Sequence, residues 1–413
     1  MSGKFFVVCL SLSIALGGGS ARAERIAEID IEPPAAADFK LRGFGTMGVA
    51  HSSSDQVEFV RDLSQPRGVA DRWTSRIDSL LGVQANWRMT SGLELAGQAV
   101  SRYRYDKNRD PEILWAYAHW EPDPRVSIRA GRLGADFLMA ADSRQVGYSY
   151  LPVRPSADYF GSLFFNYFDG ADISATTPVN DGPLDGLLRA KFYAGRIGEK
   201  SSLADRIWDS SHSPLRGIVV DYFVGAWQWR ASSAQLRFSH DMPFEPLPSF
   251  LRSTGVPTAA AAADAIAVGG TRSRFVTLGA IYDEGPLQLQ GMVNDIRHES
   301  ATFQNSHAGY LLAAYRFGAT TPYLGMSWWK SHSKEVATGL PPIPALATIL
   351  RDSGVDQTTY TLGVRWDACA NVALKAQWDA IRGDASSVFP YRGDKPGWDG
   401  RANLLSFTVD FTF

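Results

Sequence analysis

The sequence predicts an all-β fold: a transmembrane antiparallel β-barrel of about sixteen strands. Three observations predict it. The last ten residues, Leu404–Phe413, alternate strictly to the end of the chain. Leu405, Phe407, Val409, Phe411 and Phe413 lie on one side, and Ser406, Thr408, Asp410 and Thr412 on the other. The first 23 residues read as a cleavable export signal. The predicted connections between strands alternate long and short along the whole chain.

The export signal begins with Lys4, continues in an apolar run from Phe5 to Leu16, and ends in the A-x-A pattern Ala21-Arg22-Ala23. About a dozen apolar residues are too few to span a bilayer. Cys9 sits inside the run and not at its end, which argues against a lipoprotein site. Cleavage after Ala23 removes Lys4 and Arg22 and moves the formal charge from −2 to −4, so no basic excess points to nucleic acid. One cysteine remains, Cys369, so no intramolecular disulfide staples the exported chain. Beyond residue 23 no stretch reaches 18 apolar residues without charges, so a membrane-embedded chain must cross as strands. Residues 24–39, acidic and carrying Pro33-Pro34, are expected to form a short periplasmic extension, too short for a plug domain. Residues 40–413 are then the barrel.

Alternation and turn residues place strands at 40–51, 79–89, 93–105, 112–120, 125–132, 164–176, 187–196, 216–224, 227–240, 273–283, 287–296, 308–317, 323–331, 358–367, 372–381 and 404–413. In 93–105, Leu93, Leu95, Gly97, Ala99 and Tyr103 oppose Glu94, Gln98, Arg102 and Arg104. In 358–367, Tyr360, Leu362, Val364 and Trp366 oppose Thr359, Thr361 and Arg365. In 372–381, Val372, Leu374, Ala376 and Trp378 oppose Lys375, Gln377 and Asp379. The connections Thr90–Gly92, Glu121–Pro124, Gly225-Ala226, Glu284–Pro286, Gly318–Pro322 and Ala368–Ala370 are short. Those at 52–78, 133–163, 197–215, 241–272, 332–357 and 382–403 are long. A soluble sandwich has no reason to keep such a parity, whereas a barrel with tight turns at one rim and loops at the other requires it. Trp87, Trp120, Trp227, Trp229, Trp366 and Trp378 fall near strand ends, as an aromatic girdle would. Most of the alternating partners are polar or charged, so the inner face is expected to hold no dry core.

Several segments resemble the Gram-negative outer-membrane porin superfamily, in its proteobacterial general and anion-selective branch. Phe44–His51 with Phe59–Asp62 resembles the first strand and loop, and Asp78–Gln84 the second strand. Ser127–Arg132 with Val146–Pro155 resembles the fifth strand and third loop, Phe168–Asp172 the sixth strand, and Phe413 the terminal assembly signal. The likeness is strongest over 40–175 and at the C-terminus; across 200–355 it rests on strand rhythm. It implies a sixteen-stranded barrel, a homotrimer, delivered by the barrel-assembly machinery to the outer membrane, among its lipid and lipopolysaccharide. It also implies passive diffusion of small hydrophilic solutes or ions past a third loop that folds inward, with no cofactor.

That loop, 133–163, carries Asp136, Asp142, Arg144, Arg154 and Asp158. Facing it, alternation puts Arg102, Arg104, Arg129, Arg189, Lys191, Arg365 and Lys375 on the inner wall, and Arg132 joins them at the start of the loop. Rings of charged side chains in a constriction select ions, and a basic wall facing a mixed loop predicts weak anion selectivity. The same cations paired with neighbouring acids would be ordinary lumen charges. In 241–272 the run Ala259–Ala263 predicts a short helix bounded by Pro257 and Gly269-Gly270. The apolar stretch Leu340–Leu350 could pack against it. The seven histidines form no H-x-x-x-H pair and no G-x-S-x-G elbow occurs, so neither a metal site nor an enzyme is expected. Three functions stay open: a diffusion porin, a substrate-specific channel, or a non-conducting structural barrel or adhesin.

Overall fold

A computed structural model of the chain describes residues 38–413 except 162, 204–205, 333, 353 and 384–397. The export signal and most of the 24–39 extension lie outside the described residues, as does much of the loop expected at 382–403. The chain forms, in order, β1 (Asp38–Ser52), β2 (Leu80–Thr90), β3 (Leu93–Arg102), β4 (Glu112–Asp123), β5 (Val126–Gly134), α1 (Ala157–Phe160), β6 (Tyr167–Val179) and β7 (Gly186–Ile197). Then come β8 (Lys200–Leu203), β9 (Arg206–Asp209), β10 (Pro214–Val224), β11 (Trp227–Arg237), α2 (Leu247–Ser253), α3 (Pro257–Ile266) and β12 (Arg272–Glu284). The last elements are β13 (Leu287–His298), β14 (Asn305–Tyr315), β15 (Thr320–His332), α4 (Pro344–Asp352), β16 (Asp356–Cys369), β17 (Val372–Gly383) and β18 (Arg401–Thr412). All but β8 and β9 form one closed antiparallel barrel, in which β18 pairs back onto β1. The β8–β9 hairpin stands apart in a stretch read from sequence as loop.

The predicted sixteen barrel strands are all present. The alternation of tight turns and long loops holds as well, and defines a turn rim and a loop rim. Gly225 and Gly285 sit in the tight turns with φ of +54° and +56°, a backbone that a side chain would strain. The alternating faces separate as expected. Met47, Val49, Leu81, Val83, Phe192, Leu278, Leu362 and Phe407 are exposed on the outer face, the pattern of a barrel solvated by lipid. Trp87, Trp120, Trp227, Trp229, Trp366 and Trp378 are exposed there too. No helix among the described residues is long and apolar enough to cross a membrane.

The seam is closed by the last residue. Gly43 N–H donates to the Phe413 carbonyl at 2.7 Å and Phe413 N–H to the Gly43 carbonyl at 2.9 Å. The Phe413 and Phe411 rings lie directly over Gly43 and Gly45, where any Cβ would collide with them.

The inner face departs from expectation, because it does hold a dry core. Inward Val219, Leu236, Phe275, Met292, Tyr310, Leu312 and Tyr323 are buried with Phe137, Leu138, Met139, Tyr159 and Phe165 of the segment between β5 and β6. Counting polar partners on single strands missed this, because the apolar inward positions are spread thinly over β10–β15 and become a core only where that segment covers them. On the loop rim α2, α3 and α4 pack together: Leu346 is buried with Ala259, Ala262, Ala263, Leu247 and Leu251. The alanine-rich helix and the apolar stretch after residue 340 thus meet as anticipated.

Candidate functional site

Residues 135–166 touch inward-facing side chains on strands around most of the barrel. Near its start, Asp136 pairs with Lys191 of β7, and its carbonyl accepts from Arg230 of β11 at 2.9 Å. Ser232 of β11 donates to the Phe137 carbonyl at 2.7 Å. At its middle, Lys375 of β17 donates to the carbonyls of Gly147, Tyr150 and Pro152 at 2.7, 2.6 and 3.0 Å, and pairs with Asp410 at 3.1 Å. Arg365 of β16 donates to the carbonyls of Tyr148 and Tyr150, and holds Asp367 at 2.8 Å. Lys375 and Arg365 therefore act on the segment as backbone clamps, the reverse of cations left open to a solute.

Arg154 is the strongest tie. Its guanidinium grips Asp78 at 2.7 and 2.9 Å, reaches Asp379 at 3.1 Å and donates to Ser406 at 2.6 Å, with all three charged side chains nearly dry. Burial alone would lower its pKa; the carboxylates of Asp78 and Asp379 outweigh that and hold it above its usual range. Asp158 is different. It accepts from Ser327 and Gln357, each at 2.6 Å, with no cation within 4 Å among the described residues, and burial pushes its carboxyl up. Asp142 is exposed, and its carboxylate accepts from the Ser143 N–H at 2.9 Å.

Arg144 ties the first third of the segment to its last residues. It donates to the Leu163 and Phe165 carbonyls at 3.1 and 2.6 Å and to Asn166 at 2.7 Å. Its burial pushes the guanidinium down to about 10, against the opposing charges of Asp62 and Glu199. Asn166 in turn donates to Glu199 at 2.8 Å, and Glu199 lies 3.8 Å from Arg102, which also meets Glu112 at 3.7 Å. Burial first, and the Glu112 charge second, push the Glu199 carboxyl up to about 7. The folded state then holds a proton there that the unfolded state releases near its ordinary pKa of 4.5. The contribution of Glu199 to stability is therefore greatest below about pH 4.5 and falls as pH rises to about 7. Glu199→Gln should remove that slope. Melting temperatures of variant and parent should converge at low pH and separate, variant higher, toward pH 7; parallel curves would refute this.

The wall cations divide into two groups. Arg102 and Arg104 are held by Glu112, with Arg104 just past the end of β3 and also bound to Asp106. Arg132 departs from the expectation: it bonds Asp169 at 2.8 Å and stands over the Tyr167 ring at 4.0 Å, and register sets Asp169 opposite outward-facing Arg196, so alternation from inward Leu133 puts Arg132 on the outer face. Arg129 and Arg189 are arranged otherwise. Arg129 holds Asp172 with side-chain exposures of 27 and 3 %, and Arg189 holds Asp221 at 2.7 Å with exposures of 37 and 1 %. In both pairs the carboxylate is covered and the arginine is the more exposed member. Arg230 closes on the far side of Asp221 at 2.6 Å.

Sequence reasoning named the cations and missed their partners. Asp78, Asp172, Asp221, Asp379 and Asp410 complete the ties of Arg154, Arg129, Arg189 and Lys375, and Asp379 and Asp410 already lay on the polar side of their strands by simple alternation. The signal was present in the count. What it lacked was cross-strand register, which sets Arg129 opposite Asp172 and Arg189 opposite Asp221.

The fold has parallels among solved structures. An anion-selective porin from Comamonas acidovorans superposes with a TM-score of 0.54 at 16 % identity, covering 91 % of this chain and 100 % of that one. Salmonella typhi OmpF, in complex with daunomycin, gives 0.56 at 12 % identity over 91 and 97 %. The outer-membrane channel DcaP of Acinetobacter baumannii gives 0.54 at 11 % over 92 and 98 %. No protein-family model matches the chain, and no curated protein matches it by sequence. The fold is that of the porin-like barrels of Gram-negative outer membranes.

Proposed function

We propose that this chain is an outer-membrane porin: a non-enzymatic, water-filled channel for passive diffusion of small hydrophilic solutes, weakly anion-selective and assembled as a homotrimer. In this reading the turn rim faces the periplasm, the loop rim faces outward, and residues 135–166 are the constriction. One observation carries the selectivity. Arg129 and Arg189 are the more exposed members of pairs whose carboxylates are covered, so an ion on the inner wall meets the positive member of each pair first. Most other wall cations are paired or clamped, which keeps the preference weak. In a planar bilayer under a KCl gradient, the reversal potential should report mild anion preference, and Arg129→Glu with Arg189→Glu should reverse its sign. Clear cation selectivity in the parent would refute the reading.

A substrate-specific channel is the second reading. It is favoured by the dry core on the inner face of β10–β15, which takes cross-section away from water. Single-channel conductance separates the two. A specific channel conducts little and is blocked saturably by one solute class, whereas a diffusion porin is not. No conductance at all would leave a structural barrel or adhesin.

A further inference from the structure

The outer face of β7 and β10–β13 carries a feature that channel function does not use. Below the loop rim, outward-facing Phe192, Ile218, Val276 and Val293 are exposed. Two to four residues further toward the loop rim, on the same face of the same strands, stand Arg196, Arg216, Arg274 and Arg297, all exposed. Arg237 and Arg272 lie one step further up. Register joins the arginines of β10–β13 in one row, while Arg196 of β7 stands opposite Pro214 of β10 and Asp169 of β6. Arg216 is opposite Gln235, Gln235 opposite Arg274, and Arg274 opposite Arg297, while Arg237 is directly opposite Arg272.

Like charges directly opposite on one sheet face destabilise a strand pair, and this row contains two such pairs. Carboxylates only partly answer them. Asp295 holds Arg297 at 2.7 Å and Glu299 lies 3.7 Å from Arg272. Among the described residues Arg216 bonds only the neutral Gln235, at 2.7 Å, and Arg237 only the Gly270 carbonyl, at 3.2 Å. Arg196 and Arg274 have no carboxylate within 4 Å among the described residues. A guanidinium row set immediately above a lipid-facing apolar band is matched by an anion fixed at that height, and bidentate donors suit phosphate oxygens.

We propose that this row is a docking surface for phosphate groups of a glycolipid in the leaflet on the loop side of the barrel. The proposal rests on the outer-membrane reading above and names the lipid partner of that reading. The occupant is a lipid headgroup and not a free anion, because the row lies on the outward wall directly over Phe192, Ile218 and Val276.

The test uses the folded full-length barrel in neutral detergent. The probes are a bisphosphorylated glucosamine-based lipid and the same lipid with its phosphates removed, each added to mixed micelles. The parent should retain the phosphorylated form selectively. Arg216→Gln with Arg274→Gln should weaken that binding about 25-fold, at about fivefold per surface cation. A second readout separates docking from misfolding. In neutral detergent Arg274→Gln should melt above the parent, since Arg297 loses a like-charged neighbour, and in micelles with the phosphorylated lipid the order should invert. Equal retention of both lipids, or no inversion, overturns the proposal. Channel conductance reports separately: lipid selectivity without conductance fails the porin reading alone, and conductance without lipid selectivity fails this one alone.

Discussion

Arg154→Ala is expected to release residues 135–166 from the inner wall and to destabilise the barrel by about 3–5 kcal/mol, the typical cost of removing one partner of a buried ion pair. The cost arises because Asp78 and Asp379 stay behind, dry and unpaired, at 1 and 6 % side-chain exposure. Ser406 loses its donor as well, and the Phe59 ring, 5.4 Å from the guanidinium, loses the cation that joins the first long loop to this segment. Two measurements check this. Thermal unfolding should shift down, and single-channel recordings should show larger and noisier openings as the segment leaves the lumen. A compensated variant sharpens the test. Arg154→Met with Asp78→Asn and Asp379→Asn removes the stranded charges and should recover most of the stability while keeping the altered conductance. If Arg154→Ala leaves both readouts unchanged, the clamps from Lys375 and Arg365 suffice and Arg154 is not the anchor.

Deleting Phe413 is expected to lower outer-membrane yield severely while leaving the conductance of assembled molecules unchanged. Its direct structural share is small: two backbone hydrogen bonds to Gly43, each contributing about 1 kcal/mol, and a ring laid over a glycine. A barrel with many tens of ladder bonds should tolerate that loss. A chain whose terminal aromatic presents it for membrane insertion should not. Yield measured in outer-membrane fractions, beside conductance of the purified remainder, separates the two roles. Normal yield would mean that Phe413 only finishes the seam.

The barrel was legible because its strands face two solvents. Met47, Leu81, Phe192, Leu362 and Phe407 alternate with polar residues, and alternation is a local signal that each strand carries by itself. The turns were legible for the same reason, since Gly225 and Gly285 announce positive φ within their own tight connections. The β8–β9 hairpin was not, because four-residue strands give alternation no length to show. The dry core was hidden for another reason. Phe275, Met292, Tyr310 and Tyr323 are single apolar residues on separate strands, and only the closed ring brings them to one side of the lumen opposite Phe137 and Tyr159. The ion ties were half legible. Arg129, Arg189 and Lys375 were found by sign and alternation and Arg154 by its place in a charged loop, while their acids are chosen by register and by the path of a loop, neither of which a single strand records.

The seam between Gly43 and Phe413 makes the chain, in effect, a circle cut once. Each barrel strand pairs with two neighbours in identical antiparallel fashion, and the β1–β18 ladder is no different in kind from the rest. Geometry therefore singles out no first or last strand. The polarity of the gene enters only through time: until the final residues arrive, every intermediate presents two raw sheet edges, and the longest wait falls on β1, which is made first and satisfied last. Such a molecule cannot shorten that wait by folding early pieces to completion. Its edges must be kept from other chains until β18 pairs with β1, so closure of that seam is the step that ends its exposure to aggregation.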